Sequence, residues 1–217
     1  MGGRALYELV RVLIVVVGRF YFRLKVEGRE NIPSDGPFIL APVHRSNLDF
    51  ALASAVTRRH LKYMGKSSLW KHKWFGRIIS SMGAYPVERG TADREALTIT
   101  IAVLKAGHGT VLFPEGTRRT GPVIEDLFEG PAYLASRSGA PIIPVGIGGS
   151  ERAMGKGVHW PRPRKIRMVI GAPIEPPTPV EGRSRPSRKA IHEKTLELEK
   201  EMQRLFDEAQ LKAGGAT

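Results

Sequence analysis

Phe38-Ile39-Leu40-Ala41-Pro42-Val43-His44-Arg45-Ser46-Asn47-Leu48-Asp49-Phe50 is the stretch from which the architecture can be read. An apolar run ends at Leu40, a short polar loop carries His44 to Asp49, and an apolar-periodic run continues from Phe50 to Val56. A strand passing through a loop into a helix lifts the loop's side chains to the edge of a sheet. An imidazole with a carboxylate in reach of its far nitrogen is a positioned general base. His44 and Asp49, with four residues between them, fit that description across the turn. A plainer account fits the same residues. Ser46 or Asn47 caps the helix, Asp49 stands in its first turn where the dipole favours an acid, and His44 is an ordinary loop residue.

Outward from this stretch, strand and helix alternate. Residues 24–28 read as a short strand, 31–36 as a turn, and 37–41 as the strand that feeds His44. Ala84-Tyr85-Pro86-Val87 runs into Glu88-Arg89-Gly90. Residues 93–105 have acids near their start, Leu97, Ile101 and Leu104 on one face and Gly107 beyond their end, which predicts a helix. Thr110-Val111-Leu112-Phe113 predicts a buried strand delivering Pro114-Glu115-Gly116-Thr117-Arg118-Arg119. A short helix over 132–138, a buried strand over 141–147 and a last strand over 165–171 follow. Residues 173–186 are Pro-rich and extended, and 187–212 form a charged amphipathic helix with Ile191, Leu198, Met202 and Leu205 along a stripe. The expected fold class is α/β, a single domain with a mostly parallel central sheet flanked by helices. Ligands of such sheets sit beyond the carboxyl ends of the strands, so the loops of His44, Arg89 and Glu115 are expected to face one crevice.

The chain has 217 residues, enough for one well-cored domain. It contains no cysteine, which excludes disulfides, thiolate catalysis and cysteine-based metal sites. A formal net charge of +13 implies anionic partners: nucleic acid, acidic lipid surfaces, phosphorylated small molecules or an acidic carrier protein. Residues 6–24 are apolar and aromatic with Arg11, Arg19 and Arg23 spaced through them, and the uninterrupted apolar run over 12–17 is too short to span a bilayer. An amphipathic helix is expected there, either capping the domain or lying in a membrane interface. Between Asp49 and Glu88 no acidic residue interrupts Arg58, Arg59, Lys62, Lys66, Lys71, Lys73 and Arg77, and Trp70 and Trp74 stand among them. Such an interval suits a lipid headgroup layer, a nucleic acid or a solvated face.

Several familiar site patterns are missing. Gly65-Lys66-Ser67 lacks the glycine that a phosphate loop needs five positions earlier, where His60 stands. No G-x-S-x-G elbow and no HExxH pair occurs. What remains is a base with a carboxylate and two loops bearing arginine. His44-x4-Asp49, Gly83-Ala84-Tyr85-Pro86-Val87-Glu88-Arg89, Phe113-Pro114-Glu115-Gly116-Thr117-Arg118 and Pro141-Ile142-Ile143-Pro144-Val145 follow one another in that order. Together they resemble the glycerolipid acyltransferase family, of the 1-acylglycerol-3-phosphate acyltransferase type, which carries the HX4D motif. Pro86 departs from the hydrophobic or aromatic residue usual in its block.

The resemblance implies transfer of a fatty acyl chain from acyl-CoA or acyl-carrier protein to a hydroxyl of 1-acylglycerol 3-phosphate, giving phosphatidic acid. Glycerol 3-phosphate or a glycolipid is the alternative acceptor. His44 would take the hydroxyl proton, and Asp49 would hold the imidazole tautomer and stabilise the imidazolium. Arg89 and Arg118 are the candidates for the acceptor's phosphate. Glu115 would orient Arg118 or bond a glycerol hydroxyl, Gly116 would let backbone approach the ligand, and Ser46, Asn47 and Thr117 complete the substrate-binding set. Backbone N–H groups near the His44 loop are candidate oxyanion donors, and Pro144 shapes a strand end. No cofactor and no metal is implied, the thioester being a co-substrate. The expected partners are the glycerol-phosphate lipid, the acyl thioester donor and an anionic membrane surface, with no nucleic acid. A basic nucleic-acid-binding module using Lys62, Lys66, Lys71 and Lys73 with Trp70 and Trp74 is the rival from another class. Residues 1–24 then become a membrane-associating helix, 25–212 the acyltransferase domain and 213–217 a disordered tail. A peripheral position on the cytoplasmic face of the cell membrane is expected.

Overall fold

Strand β2 (Phe38–Pro42) is buried along its whole length. Its side chains alternate between two cores. Phe38 and Leu40 join Tyr7, Leu52 and Val56 on one face, while Ile39 and Ala41 join Leu104, Leu134, Leu198 and Phe206 on the other. Strand β6 (Ile142–Gly148) divides in the same way, Ile143, Val145 and Ile147 entering the first core and Ile142 the second. Strands apolar on both sides need a layer of helices on each face, and that is what the computed structural model has for residues 2–87, 94–178 and 186–215.

The remaining strands are β1 (Lys25–Glu27), β3 (Lys62–Lys66), β4 (Ala84–Val87), β5 (Gly109–Val111) and β7 (Arg167–Ile170). They form one seven-stranded sheet in the order β1-β7-β6-β2-β5-β3-β4. Five strands, from β6 to β4, run the same way; β7 is antiparallel to β6, and β1 parallel to β7. The α/β architecture with a mostly parallel sheet is thus as expected. Pro86 sits in β4, an edge strand where the missing N–H costs little. Pro144 is not at a strand end. It lies inside β6 opposite Ala41, one residue before the ladder to β7 begins at Val145.

The helices are α1 (Gly2–Phe20), α2 (Leu48–Leu52), α3 (Lys73–Ser81), α4 (Arg94–Lys105), α5 (Gly130–Ser138), α6 (Ser150–Met154) and α7 (Arg188–Lys212). Helix α7 starts where expected, because the Ser187 hydroxyl accepts the Ala190 N–H (3.1 Å). It packs against β6 at backbone distance: a Cβ on Gly146 would stand 2.2 Å from the Leu205 carbonyl oxygen. Helices α3 and α6 were not marked by the sequence pattern, both being short.

Helix α1 ends earlier than residue 24. Arg23 takes a left-handed conformation (φ 49°), which turns the chain so that Leu24 enters the core. The two sides of this helix differ. Tyr7 and Val15 pack on the domain, while Leu9, Val12, Leu13, Val16, Val17 and Phe20 form an exposed apolar stripe. Among the described residues no helix is long and apolar enough to cross a membrane. Residues 213–215 of the expected tail are described. Arg152 donates to the carbonyls of Ala213 and Gly214 and holds the end of α7 in place; residues 216 and 217 lie outside the described residues.

Candidate active site

β2 and β5 are parallel neighbours with Leu40 opposite Val111. The loops leaving their carboxyl ends are therefore adjacent, and specific bonds join them. The His44 N–H donates to Glu115 Oε2 (2.6 Å), and the His44 carbonyl accepts the Arg119 N–H (3.0 Å). The His44 ring lies on Phe113, with centroids 4.2 Å apart.

Asp49 is fully buried in the first turn of α2. Its Oδ2 accepts the N–H of Arg45 (2.7 Å) and of Ser46 (2.6 Å), and stands 3.3 Å from His44 Nδ1. A carboxylate can only accept, so the bond to His44 requires the proton on Nδ1 and leaves the Nε2 lone pair free. Capping and general-base geometry are not alternatives here. The same oxygen ties down the helix entrance and orients the imidazole.

Arg45 is the residue that sequence reasoning missed. Its guanidinium is fully buried and salt-bridged to Glu115. It also donates to the carbonyls of His44 (3.3 Å), Gly121 (3.0 Å) and Val123 (2.8 Å) and sits over the Phe206 ring. An arginine in a polar loop reads as a surface charge; its partner lies 70 residues away, where no local pattern shows it. Glu115 consequently differs from expectation. Its carboxylate is spent on Arg45 and the His44 N–H, so it braces the His44 loop instead of orienting Arg118 or meeting a glycerol hydroxyl.

Ser46 is likewise occupied, its hydroxyl donating to the Met154 carbonyl (2.7 Å) and accepting the Leu48 N–H (3.1 Å). The N–H groups of His44, Arg45 and Ser46 are all engaged internally, which removes them as oxyanion donors. Asn47 is exposed just before α2 and makes no side-chain cap. Gly116 adopts φ +66° with the Phe128 ring packed against it, and Thr117 is exposed on the same turn. Arg118 is half-buried, and its guanidinium has no hydrogen-bond or ion-pair partner among the described residues. Arg89 lies outside the described residues; the strand before it, β4, is separated from β5 by β3.

An apolar cavity of about 260 Å³ starts next to this site. Phe50 and Ala51, directly after Asp49, form one wall, and Val10, Ile14, Leu69, Phe75 and Met82 are among the others. Burial pushes the Tyr7 and Tyr63 phenols up, so neither adds an ionised group to the lining. Trp70 is committed to this region, wedged against Gly65 and Gly76 with its indole N–H donating to Ser80 (2.8 Å). Arg59 is no free surface cation either: it donates to the carbonyls of Pro33, Gly36 and Gly107. Of the two tryptophans in the basic interval, Trp74 is the exposed one.

A histidine–aspartate pair with one free imidazole nitrogen, at the carboxyl edge of a mostly parallel sheet beside an apolar cavity, is what acyl transfer to a hydroxyl requires. The chain belongs to the acyltransferase family, whose model matches residues 23–148, more than half its length. It is an O-acyltransferase. It is similar to a 1-acyl-sn-glycerol-3-phosphate acyltransferase of Bacillus subtilis, 28% identical over 187 residues that cover 84% of this chain and 91% of that protein. A chloroplastic 1-acyl-sn-glycerol-3-phosphate acyltransferase of Arabidopsis thaliana is 26% identical over 158 residues, 71% of this chain and 44% of the longer plant protein. The crystal structure of the 1-acyl-sn-glycerophosphate acyltransferase PlsC from Thermotoga maritima matches with a TM-score of 0.72 at 28% identity, covering 97% of this chain and 83% of that one.

Proposed function

We propose that the protein acylates a hydroxyl of 1-acylglycerol 3-phosphate, using the thioester of acyl-CoA or acyl-carrier protein, and yields phosphatidic acid. The observation that carries this reading is the His44–Asp49 pair, with Nδ1 engaged and Nε2 without a partner among the described residues. Nε2 takes the proton as the acceptor oxygen attacks the thioester carbonyl. The tetrahedral oxyanion collapses, the carbon–sulfur bond breaks, and the imidazolium returns the proton to the departing thiolate. Asp49 stabilises the imidazolium between these steps, and no covalent acyl-enzyme is formed. Arg118, whose guanidinium has no partner among the described residues, is suited to the acceptor's phosphate. The apolar cavity beginning at Phe50 suits an acyl chain.

The acceptor is a lipid, so the enzyme has to work at a bilayer. The exposed stripe of α1, together with Trp74 and Ile78 of the adjoining α3, supports interfacial attachment. The expected position is peripheral, on the cytoplasmic leaflet, where the positive net charge meets anionic lipid. The test offers labelled acyl-CoA and acyl-carrier protein to the purified protein with 1-acylglycerol 3-phosphate, glycerol 3-phosphate and a glycolipid in parallel. Product from the monoacyl phosphate, with one thioester preferred, supports the proposal; product from another acceptor alone overturns it.

A further inference from the structure

The chain between α6 and β7 is not used by the chemistry above. It lies at the same sheet edge as His44: Gly148 at the end of β6 pairs with Arg167 at the start of β7, and Ser46 bonds the Met154 carbonyl of α6. At its tip stands Trp160, 82% exposed. An indole held in water is unfavourable unless a half-apolar, half-polar medium receives it, and the headgroup layer of a bilayer is such a medium.

The loop is not loosely tethered. The Arg162 N–H donates to the Ala153 carbonyl (2.9 Å), the Val158 N–H to Gly155 (3.2 Å), and the Ile166 N–H to Phe22 (3.0 Å). The Tyr21 hydroxyl donates to the Pro161 carbonyl (2.9 Å), which ties the loop to the end of α1. Phe20 and Tyr21, both exposed, make the surface continuous from the apolar stripe of α1 to Trp160. No acidic residue occurs between Glu151 and Glu175. Lys156, Arg162, Arg164 and Lys165 are exposed around Trp160, and none of their side chains has a partner among the described residues.

We propose that residues 155–166 form an anionic-lipid docking element, with Trp160 entering the headgroup layer and Lys156, Arg162, Arg164 and Lys165 meeting lipid phosphates. The proposal rests on the membrane reading above and deepens it. The α1 stripe supplies apolar insertion, and this loop supplies the preference for negative charge and fixes which sheet edge faces the bilayer. Continuity with an apolar stripe favours lipid over nucleic acid, which would gain nothing from Leu9, Leu13 or Val16.

The test is flotation of the full chain with phosphatidylcholine vesicles, with and without phosphatidylglycerol. Arg164→Gln combined with Lys165→Gln is expected to weaken binding to the anionic vesicles roughly thirtyfold, the effect of removing two basic residues at such a surface. Trp160→Ala is expected to lower binding to both vesicle types and to reduce quenching of tryptophan emission by brominated lipid. Unaltered melting curves and unaltered turnover of a short-chain, water-soluble acceptor confirm that each variant is intact. If these variants bind like the parent while Leu13→Asp with Val16→Asp does not, the loop assignment is wrong and the membrane reading stands. If the parent floats with neither vesicle, both fail. Oligonucleotide binding lost in the loop variants, with flotation unchanged, also overturns the proposal.

Discussion

Arg45 and Glu115, 70 residues apart in the chain, form a fully buried ion pair beneath the His44 loop. The pair ties the loop after β2 to the loop after β5, and Glu115 passes the restraint to the His44 backbone through its second oxygen. Breaking a buried pair by removing one partner strands the other charge and costs about 3–5 kcal/mol. Arg45→Met and Glu115→Gln are each expected to lower the urea midpoint strongly, and the double variant to lose much less than their sum. Additive losses in that cycle would mean that the two side chains do not act as a unit.

His44→Ala is expected to abolish thioester release while shifting Tm by only a few degrees, since the His44 hydrogen bonds that join the loops are made by its backbone and only the ring's packing on Phe113 is lost. Asp49→Ala should differ in kind. It orphans two buried N–H groups, those of Arg45 and Ser46, at about 1–3 kcal/mol each, so stability and activity fall together. Calorimetry beside a thioester-release assay separates the two behaviours, and near-normal turnover in His44→Ala would remove the mechanism.

Arg118→Ala is expected to raise the acceptor KM about 10- to 100-fold, the value of a charge-assisted bond to phosphate, and to leave the thioester KM unchanged. Arg118→Lys should recover part of the loss, because an ammonium keeps the charge without the bidentate fork. An unchanged acceptor KM in Arg118→Ala would place the phosphate elsewhere.

Gly146→Ala should destabilise the fold by about 1–3 kcal/mol, as overpacking does. The new methyl would meet the backbone of α7 at Leu205, which has no side-chain freedom with which to yield. Gly36→Ala is a weaker perturbation: its Cβ meets nothing within 4 Å, and only the positive φ of 74° resists it. Chemical denaturation of the pair checks the order.

Lys212 donates to Glu208 (2.6 Å) and Glu27 (2.5 Å), clipping the end of α7 to β1. The Lys212 bond holds the Glu208 carboxyl below its usual range, so that contribution is present above the ordinary carboxylate pKa and is lost as pH falls through the depressed folded value. Glu208, and then Glu27, raise Lys212, whose contribution is present below the ordinary lysine pKa and is lost as pH rises through the raised folded value. The clip is complete between pH of roughly 5 and 10. It is exposed and screened, worth about 0.5 kcal/mol, so Lys212→Gln should increase hydrogen exchange at the last turn of α7 in that window with little change in Tm. Equal exchange in both proteins would remove the clip.

Much of the fold follows from local pattern. The apolar runs expected as strands at 38–41, 110–113 and 141–147 contain β2, β5 and β6, although β5 ends at Val111, because residues apolar on both sides are stable only between two layers, and short crossovers through helices make such strands parallel. His44 and Asp49 were legible as well, being five positions apart on one turn, where the chain itself brings them together. What the sequence could not show is how groups distant along the chain are spent. Glu115 and Ser46 look available to a substrate until packing assigns them to Arg45 and Met154, and the N–H groups of the His44 loop until they meet Glu115 and Asp49. Arg45 looks like a surface cation until β2 and β5 pair and bring Glu115 over it. The apolar cavity and the outward stripe of α1 also exist only once helices pack, because hydrophobic periodicity records that a face is apolar and not which neighbour, protein or lipid, will cover it.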